Sequence, residues 1–336
     1  MAGRRALLAA IAAGGLGLPR LIRSANAAGA SWRPKVRVVA SGLFFPEGPV
    51  TMGDGSVVLV EIGAGVLTRI SASGEKTIIA RLGGGPNGTA IGPDGAAYIC
   101  NDGGLAFDRS SGRAVYVGVP ADYQGGSIQR VDLNTGAWKT LYTEVNGNRL
   151  KGPNDIVFDQ WGGMWFTDTG KNYARSRDHG GLYWAAPDGS EIREIVYPLL
   201  TPNGIGLSHD RRTLYVALSE RRQVLAYTLT GPGGALLLEK GKPKQRMAIS
   251  MGDDLGFDNL AVEESGNIIV AGVRKGLLVF SPAGQLLQTV ILPDPIATAP
   301  AFGGPTMKTL YVTLSALGQL IAIDWPRRGV TPIYRR

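Results

Sequence analysis

The chain repeats itself, and that repetition constrains its fold more than any other feature. The clearest copy is residues 152–170, GPNDIVFDQWGGMWFTDTG. DIVFD is a short apolar strand, QWGG a glycine-rich reversal, and MWFTD a second strand of aromatic and β-branched residues, so the stretch reads as a β-hairpin. Antiparallel pairing brings the outer ends of a hairpin together and sets Asn154 beside Asp168 at one mouth of the unit. Related units begin at EGPVTM, NGTAIG, NGIGLS, DNLAVE and AFGGP, each followed by further short strands. In the fourth unit these are TLYVALS, QVLAYTL and, as outer strand, GGALLLE. Repeats of roughly 40 to 50 residues built from short strands define a propeller. The sixth unit shows three strands, whereas VRVVAS (residues 36–41) precedes the first unit without a partner. Closing a ring removes exposed sheet edges, so this strand belongs in the last blade. The predicted fold is all-β: a six-bladed β-propeller of four antiparallel strands per blade, a single domain over residues 35–328, closed by the N-terminal strand.

Composition agrees where it bears on the argument. The 49 Gly and 20 Pro punctuate short apolar runs, and few segments carry a helical period. Residues 1–27 differ: Arg4 and Arg5 precede an apolar run, and Ala25-Asn26-Ala27 is a small-residue cleavage site. The paired arginines resemble a twin-arginine export signal; an ordinary secretory leader predicts the same compartment. The run is too short to span a bilayer, so the expectation is a protein handled by the export machinery, cleaved near Ala27 and periplasmic or secreted, with no stable membrane anchor. Four of the arginines behind the formal net charge of +8 lie in this leader, and the remaining Lys and Arg form no basic block, which argues against nucleic acid as a partner. Cys100 is the single cysteine, set among apolar residues, and reads as a buried small hydrophobe.

Innermost strands of a propeller line one channel, so equivalent positions converge. Aligning the units puts Glu47, Asn87, Asn154, Asn203, Asp258 and Phe302 in one register, four of them preceded by Pro. Fourteen positions later the first three units carry Glu61, Asn101 and Asp168. Two carboxylates and three amides around a channel are costly to desolvate empty. A hard divalent cation resolves that cost: calcium takes six to eight oxygen ligands. The absence of Cys and His disfavours zinc without excluding it, and magnesium or manganese also suit oxygen donors. Taken singly, each Pro-Asn-Gly is also a good turn sequence whose Asn bonds its own backbone. The loops 103–126 and 169–180 leave from the same mouth, as lids over a substrate or as solvated connections.

FPEGPV, GPNDIVFDQWGGMWFTDTG, TPNGIGLS, FDNLAVEESGNIIVAG and AFGGPTMKTLYVT together resemble the gluconolactonase, senescence-marker-protein and luciferin-regenerating-enzyme family, over about residues 40–325. More distantly they are similar to diisopropyl fluorophosphatase and the paraoxonases. The resemblance implies a six-bladed propeller with calcium or another divalent ion in its channel, hydrolysing lactones or related esters. It places the metal ligands on Glu47, Asn154, Asn203 and Asp258, and makes Asn259 the partner of Asp258 in an Asp-Asn pair. Two departures stand out. Only His179 and His209 are present, and His209 lies in a turn. Gly152 occupies the position where the sugar-lactonase branch carries Arg.

The expected chemistry is metal-assisted lactone hydrolysis, with Asp258 as general base toward water or as direct nucleophile. Asn87 is expected to bind the small-molecule lactone or ester substrate. Asn101 and Asp168 sit behind the ligand positions within reach of substrate, and Asn259 and His179 are further contact candidates. No G-x-S-x-G elbow supports a serine nucleophile. Two alternatives stay open: an organophosphate or phosphoester hydrolase on the same site, and a non-catalytic ligand-binding propeller.

Overall fold

The computed structural model describes residues 29–252 and 256–335; the leader lies outside them, as do Asp253 and Asp254. Short β-branched and aromatic runs broken by glycine turns form six antiparallel sheets arranged as a six-bladed β-propeller. The innermost strands are Pro46–Thr51, Pro86–Ile91, Pro153–Phe158, Pro202–Leu207, Phe257–Val262 and Ala297–Gly303. Val36–Ser41 pairs antiparallel with Gln319–Asp324 as outer strand of the sixth blade, so the N-terminal strand closes the ring. Ala30–Trp32 adds a parallel edge strand to the fifth blade, which the sequence did not signal.

The fourth blade departs from the sequence reading. Its outer strand is Gln245–Ser250, paired with Gln223–Gly231, while Ala235–Leu236 only folds back on the far end of that third strand. GGALLLE is apolar enough to read as a strand, yet the better-placed partner is a mixed polar segment exposed on its outer side.

Each gap between neighbouring blades holds its own apolar core. Val58, Val60 and Ile99 fill the space between the first two blades, and Leu59, Ile70 and Leu320 the space between the sixth and first. Four comparable clusters complete the circle. Alternation of side chains along each strand feeds both gaps at once.

The two faces of the ring differ. On the floor, the first and second strands of each blade turn tightly. The left-handed residue of these turns is glycine in most blades, as at Gly162 (φ 90°), but Arg211 (φ 61°) in the fourth. Past the last strand the chain crosses this floor. Trp325 Nε1 donates to Glu263 (2.8 Å) and Arg327 Nε to the same carboxylate (2.6 Å). Val330 N–H donates to the Val262 carbonyl (2.8 Å), Arg211 donates to the Thr331 carbonyl, and Tyr334 meets the edge of Phe158. The tail thus closes the channel below, leaving a mostly apolar cavity of about 190 Å³ above it.

Candidate functional site: a ring of oxygen donors at the channel mouth

The innermost strands begin at the opposite face, and all six begin the same way. Pro46 pairs with Glu61, Pro86 with Asn101, Pro153 with Asp168, Pro202 with Leu218, Phe257 with Gly272 and Ala297 with Leu314. Just inside that pair every inner strand bulges, carrying one residue more than its partner. A bulge kinks the strand and re-aims side chains; repeated around the ring, it turns one residue per blade toward the axis. Those residues are Glu47, Asn87, Asn154, Asn203, Asp258 and, in the sixth blade, Thr298.

Thr298 replaces the predicted Phe302. Phe302 lies toward the floor end of the same strand and packs against Trp325. The sixth inner strand starts four residues earlier than its AFGGP signal suggests, because Ala-Thr-Ala-Pro lacks the Pro-Asn-Gly pattern. Counting back from the partner strand TLYVTL would have found Thr298, which bonds Ser315 (2.7 Å) and Thr313 (2.9 Å).

The strands converge tightly. A Cβ on Gly88 would stand 2.4 Å from the Asn154 carbonyl, and one on Gly204 2.5 Å from Asn259 Cα. Glycine is therefore required after the ring residue in these blades. Where it is absent, the side chain is used: Asn259 Nδ2 donates to Glu47 Oε2 (3.0 Å), and Asp155 accepts from Ile156 N–H and, across the blade gap, from Ile205 N–H (2.9 Å each). Asp155 was missed from the sequence, although its departure from the glycine of neighbouring repeats was visible there.

The ring is electrostatically unfinished. Burial, then the Asp258 charge, holds Glu47 well above the usual carboxylate range. Burial pushes Asp258 up to about 7, against a lowering hydrogen bond from Asn203 and with the Asp155 charge adding to the rise. Burial likewise pushes Asp155 to about 7, opposed by its two backbone donors. The Oδ1 atoms of Asn154, Asn203 and Asn259 are buried without a hydrogen-bond partner. Orphaned acceptors beside carboxyls that resist ionisation are what a hard cation corrects. Glu47, Asn154, Asn203 and Asp258 therefore fit a divalent ion with oxygen preference. Half of this set is amide, and among the described residues no three His, Cys, Asp and Glu side chains gather as a metal cluster.

The remaining predicted residues fall elsewhere. Asp168 accepts from the N–H groups of Lys151, Gly152 and Gly170 (2.7, 2.7 and 2.8 Å). Asn101 accepts from Gly85 and Gly103 and donates to Gly83 and Gln129. Both lie beside the ring, but their polar atoms hold the segments that lead into it. Asn87 Nδ2 donates to Asp102 (3.3 Å), and His179 is exposed at the end of its loop. Gly152 has no room for a side chain: a Cβ there would sit 2.8 Å from the Gly170 carbonyl. The sequence did not flag Lys171, which is buried, pairs with Asp102 (3.2 Å) and donates to the Gly104 carbonyl (2.9 Å).

Fold and site together define a six-bladed propeller that gathers acid and amide oxygens from several blades at one channel mouth. The chain belongs to the SMP-30/gluconolactonase/LRE-like family, whose profile matches residues 45–316. It is similar to a gluconolactonase of Zymomonas mobilis, 24% identical over 282 residues, covering 76% of this chain and 72% of that protein. Among solved structures, a gluconolactonase from Xanthomonas campestris shares the fold at TM-score 0.69 and 22% identity, covering 87% and 90% of the two chains. The calcium-binding protein regucalcin from Agrobacterium tumefaciens does so at TM-score 0.68 and 20% identity, covering 92% and 100%.

Proposed function

We propose that the protein is a divalent-cation-dependent hydrolase of lactones. The observation that carries this reading is the ring itself: two carboxyls that resist ionisation and two orphaned amide oxygens, converging from four blades. Family membership and the gluconolactonase relative support lactone chemistry, and the regucalcin neighbour supports calcium as the ion.

Glu47, Asn154, Asn203 and Asp258 would hold the cation. When bound, it supplies Lewis acidity to polarise a carbonyl and stabilise developing oxyanion charge. The chain's own residues do the rest. Asp258, shielded and hydrogen-bonded by Asn203, is placed to take a proton from water as that water adds to the lactone carbonyl. The proton then returns to the ring oxygen as the ester bond breaks, giving a hydroxy acid. The Asp258 carboxyl would be held ionised by the bound cation, in the form that accepts the proton. Asn259 fixes the Glu47 rotamer through its amide. Asn87, oriented by Asp102, is the ring group left to contact substrate.

A panel of lactones assayed on the cleaved protein after chelation, then with calcium, zinc, magnesium or manganese restored, tests the proposal. Turnover that returns with one ion and is lost in Asp258→Asn supports it; tight metal binding without any ester cleavage rejects it. The protein acts outside the cytoplasm in the same reading, and N-terminal sequencing of the exported form would locate cleavage near Ala27.

A further inference from the structure

The loop 169–180 of the third blade is folded on itself and tied to the blades on either side. Asn172 bridges antiparallel to Arg177. Tyr173 N–H donates to the Ser176 carbonyl and Asp178 N–H to the Lys171 carbonyl (2.8 Å each). Side chains alternate along an extended segment, so Lys171, one residue before the bridge, leaves the opposite face from Arg177. The two side chains reach different blades.

Lys171 reaches the second. It is buried, with its ammonium 3.2 Å from Asp102 Oδ1, 2.9 Å from the Gly104 carbonyl and 5.2 Å from the centre of the Tyr123 ring. Asp102 takes Gly104 N–H on that same oxygen (2.7 Å) and Asn87 Nδ2 on the other (3.3 Å). The ring amide of Asn87 is thus oriented by a carboxylate that Lys171 neutralises and fixes. Without its cation, a carboxylate buried there resists ionisation and its hydrogen bonds are re-sorted.

Arg177 reaches the fourth blade, donating to Glu220 and to Thr201 Oγ1 (2.7 Å). Thr201 is a β-branched residue in the left-handed region (φ 48°), a conformation that persists only where its surroundings hold it. Two residues on stands Asn203, whose Oδ1 is one of the orphaned ring acceptors. Between these two anchors, the Gly170 carbonyl lies against Gly152, two residues before Asn154. A loop pinned in this way cannot swing over a substrate without breaking a buried ion pair.

Resting on the hydrolase reading above, we infer that the loop 169–180 is a brace for the ring. Lys171 is a positioning residue for Asn87, the group left to contact substrate, and Arg177 is a positioning residue for Asn203, a cation ligand.

The test combines calorimetric titration of the chelated protein with calcium and steady-state kinetics at saturating calcium, on a lactone that the wild type cleaves. Arg177→Ala should weaken calcium binding about 10-fold, the scale of losing a group behind a metal ligand, with KM unchanged once calcium saturates. Lys171→Met should leave calcium affinity unchanged and raise KM about 10-fold at constant kcat. If Lys171→Met does not fold, Asp102→Asn replaces it. The single oxygen of that amide stays with Gly104 N–H and Lys171, its NH2 faces Asn87, and the same KM effect is expected. Variants that lower the melting temperature but shift neither quantity, or shift both alike, overturn the inference. If the wild type binds no calcium or cleaves no lactone, the hydrolase reading fails on its own, and NMR of the side-chain amides decides the brace. Lys171→Met should move the Asn87 signals and not those of Asn203, and Arg177→Ala the reverse; movement of both or of neither rejects it.

Discussion

Two sets of Asn, Asp and Glu residues stand side by side at the channel mouth and do opposite things. In one, Asp168, Asn101 and Glu61 close off almost every polar atom: Glu61 alone receives Phe44 N–H, the Thr68 hydroxyl and Lys76. These residues occur in the first three blades only; their counterparts in the others are Leu218, Gly272 and Leu314. In the other set, Glu47, Asn154, Asn203 and Asp258 keep oxygens unpartnered or reluctant to ionise. The backbone link is common to both halves of the ring, since Asp102, Thr169, Ser219, Val273 and Ser315 each donate to the carbonyl of the residue leading into the inner strand. The same residue types thus secure the scaffold at one register and hold unsatisfied charge at the next. Residue type alone does not separate stability from function; the count of available donors does.

The sharpest way to break the comparison is to substitute one member of each set. Asp258→Asn should lower lactone turnover by about 10³-fold, the scale of losing a positioned proton acceptor, while the melting temperature of the chelated protein holds or rises as a repelling charge is removed. Asp168→Ala should do the reverse in kind. Three backbone donors lose a buried acceptor, and urea unfolding should show a loss of about 3 kcal/mol or more. Asn101→Ala, which strands two backbone donors, should cost about 2 kcal/mol by the same measurement.

A further test is in pH. Asp155 and Asp258 have folded-state pKa values raised to about 7, whereas unfolded they titrate near 4. Protonation of both states leaves no penalty at low pH. As pH rises the unfolded chain ionises first, so the chelated protein should lose stability between about 4 and 7 and then level off. Melting curves across that range should show the fall, and saturating calcium should flatten it by favouring the ionised ring. A chelated protein whose stability rises over this interval would contradict the assignment of strain to the ring.

Much of this was legible in the sequence because a propeller writes its geometry as repetition. Six units, their turns and the homeless strand at residues 36–41 sufficed for the architecture, and a preceding Pro marked four of the six ring positions. What escaped was whatever broke the repeat. Thr298 lacks the motif, Asp155 stands where neighbours have glycine, and Gln245–Ser250 competes with a more apolar stretch nearby. Lys171 sits on a loop whose path depends on packing against another blade, and no local pattern encodes that path. Asn101 and Asp168 were legible in place but not in role, since hydrogen-bond saturation is a property of three dimensions.

The closure of the ring carries a consequence for how the molecule is made. Val36–Ser41 completes its sheet only with Gln319–Asp324, and the segment behind that strand then ties the undersides of several blades together. During synthesis the first strand must wait, unpaired, for almost the whole chain to emerge. Contacts so distant in sequence slow folding, and until they form the last blade offers an open sheet edge to any neighbouring chain. The hazardous moment in the life of this protein therefore comes while Val36–Ser41 and Gln319–Asp324 have yet to meet.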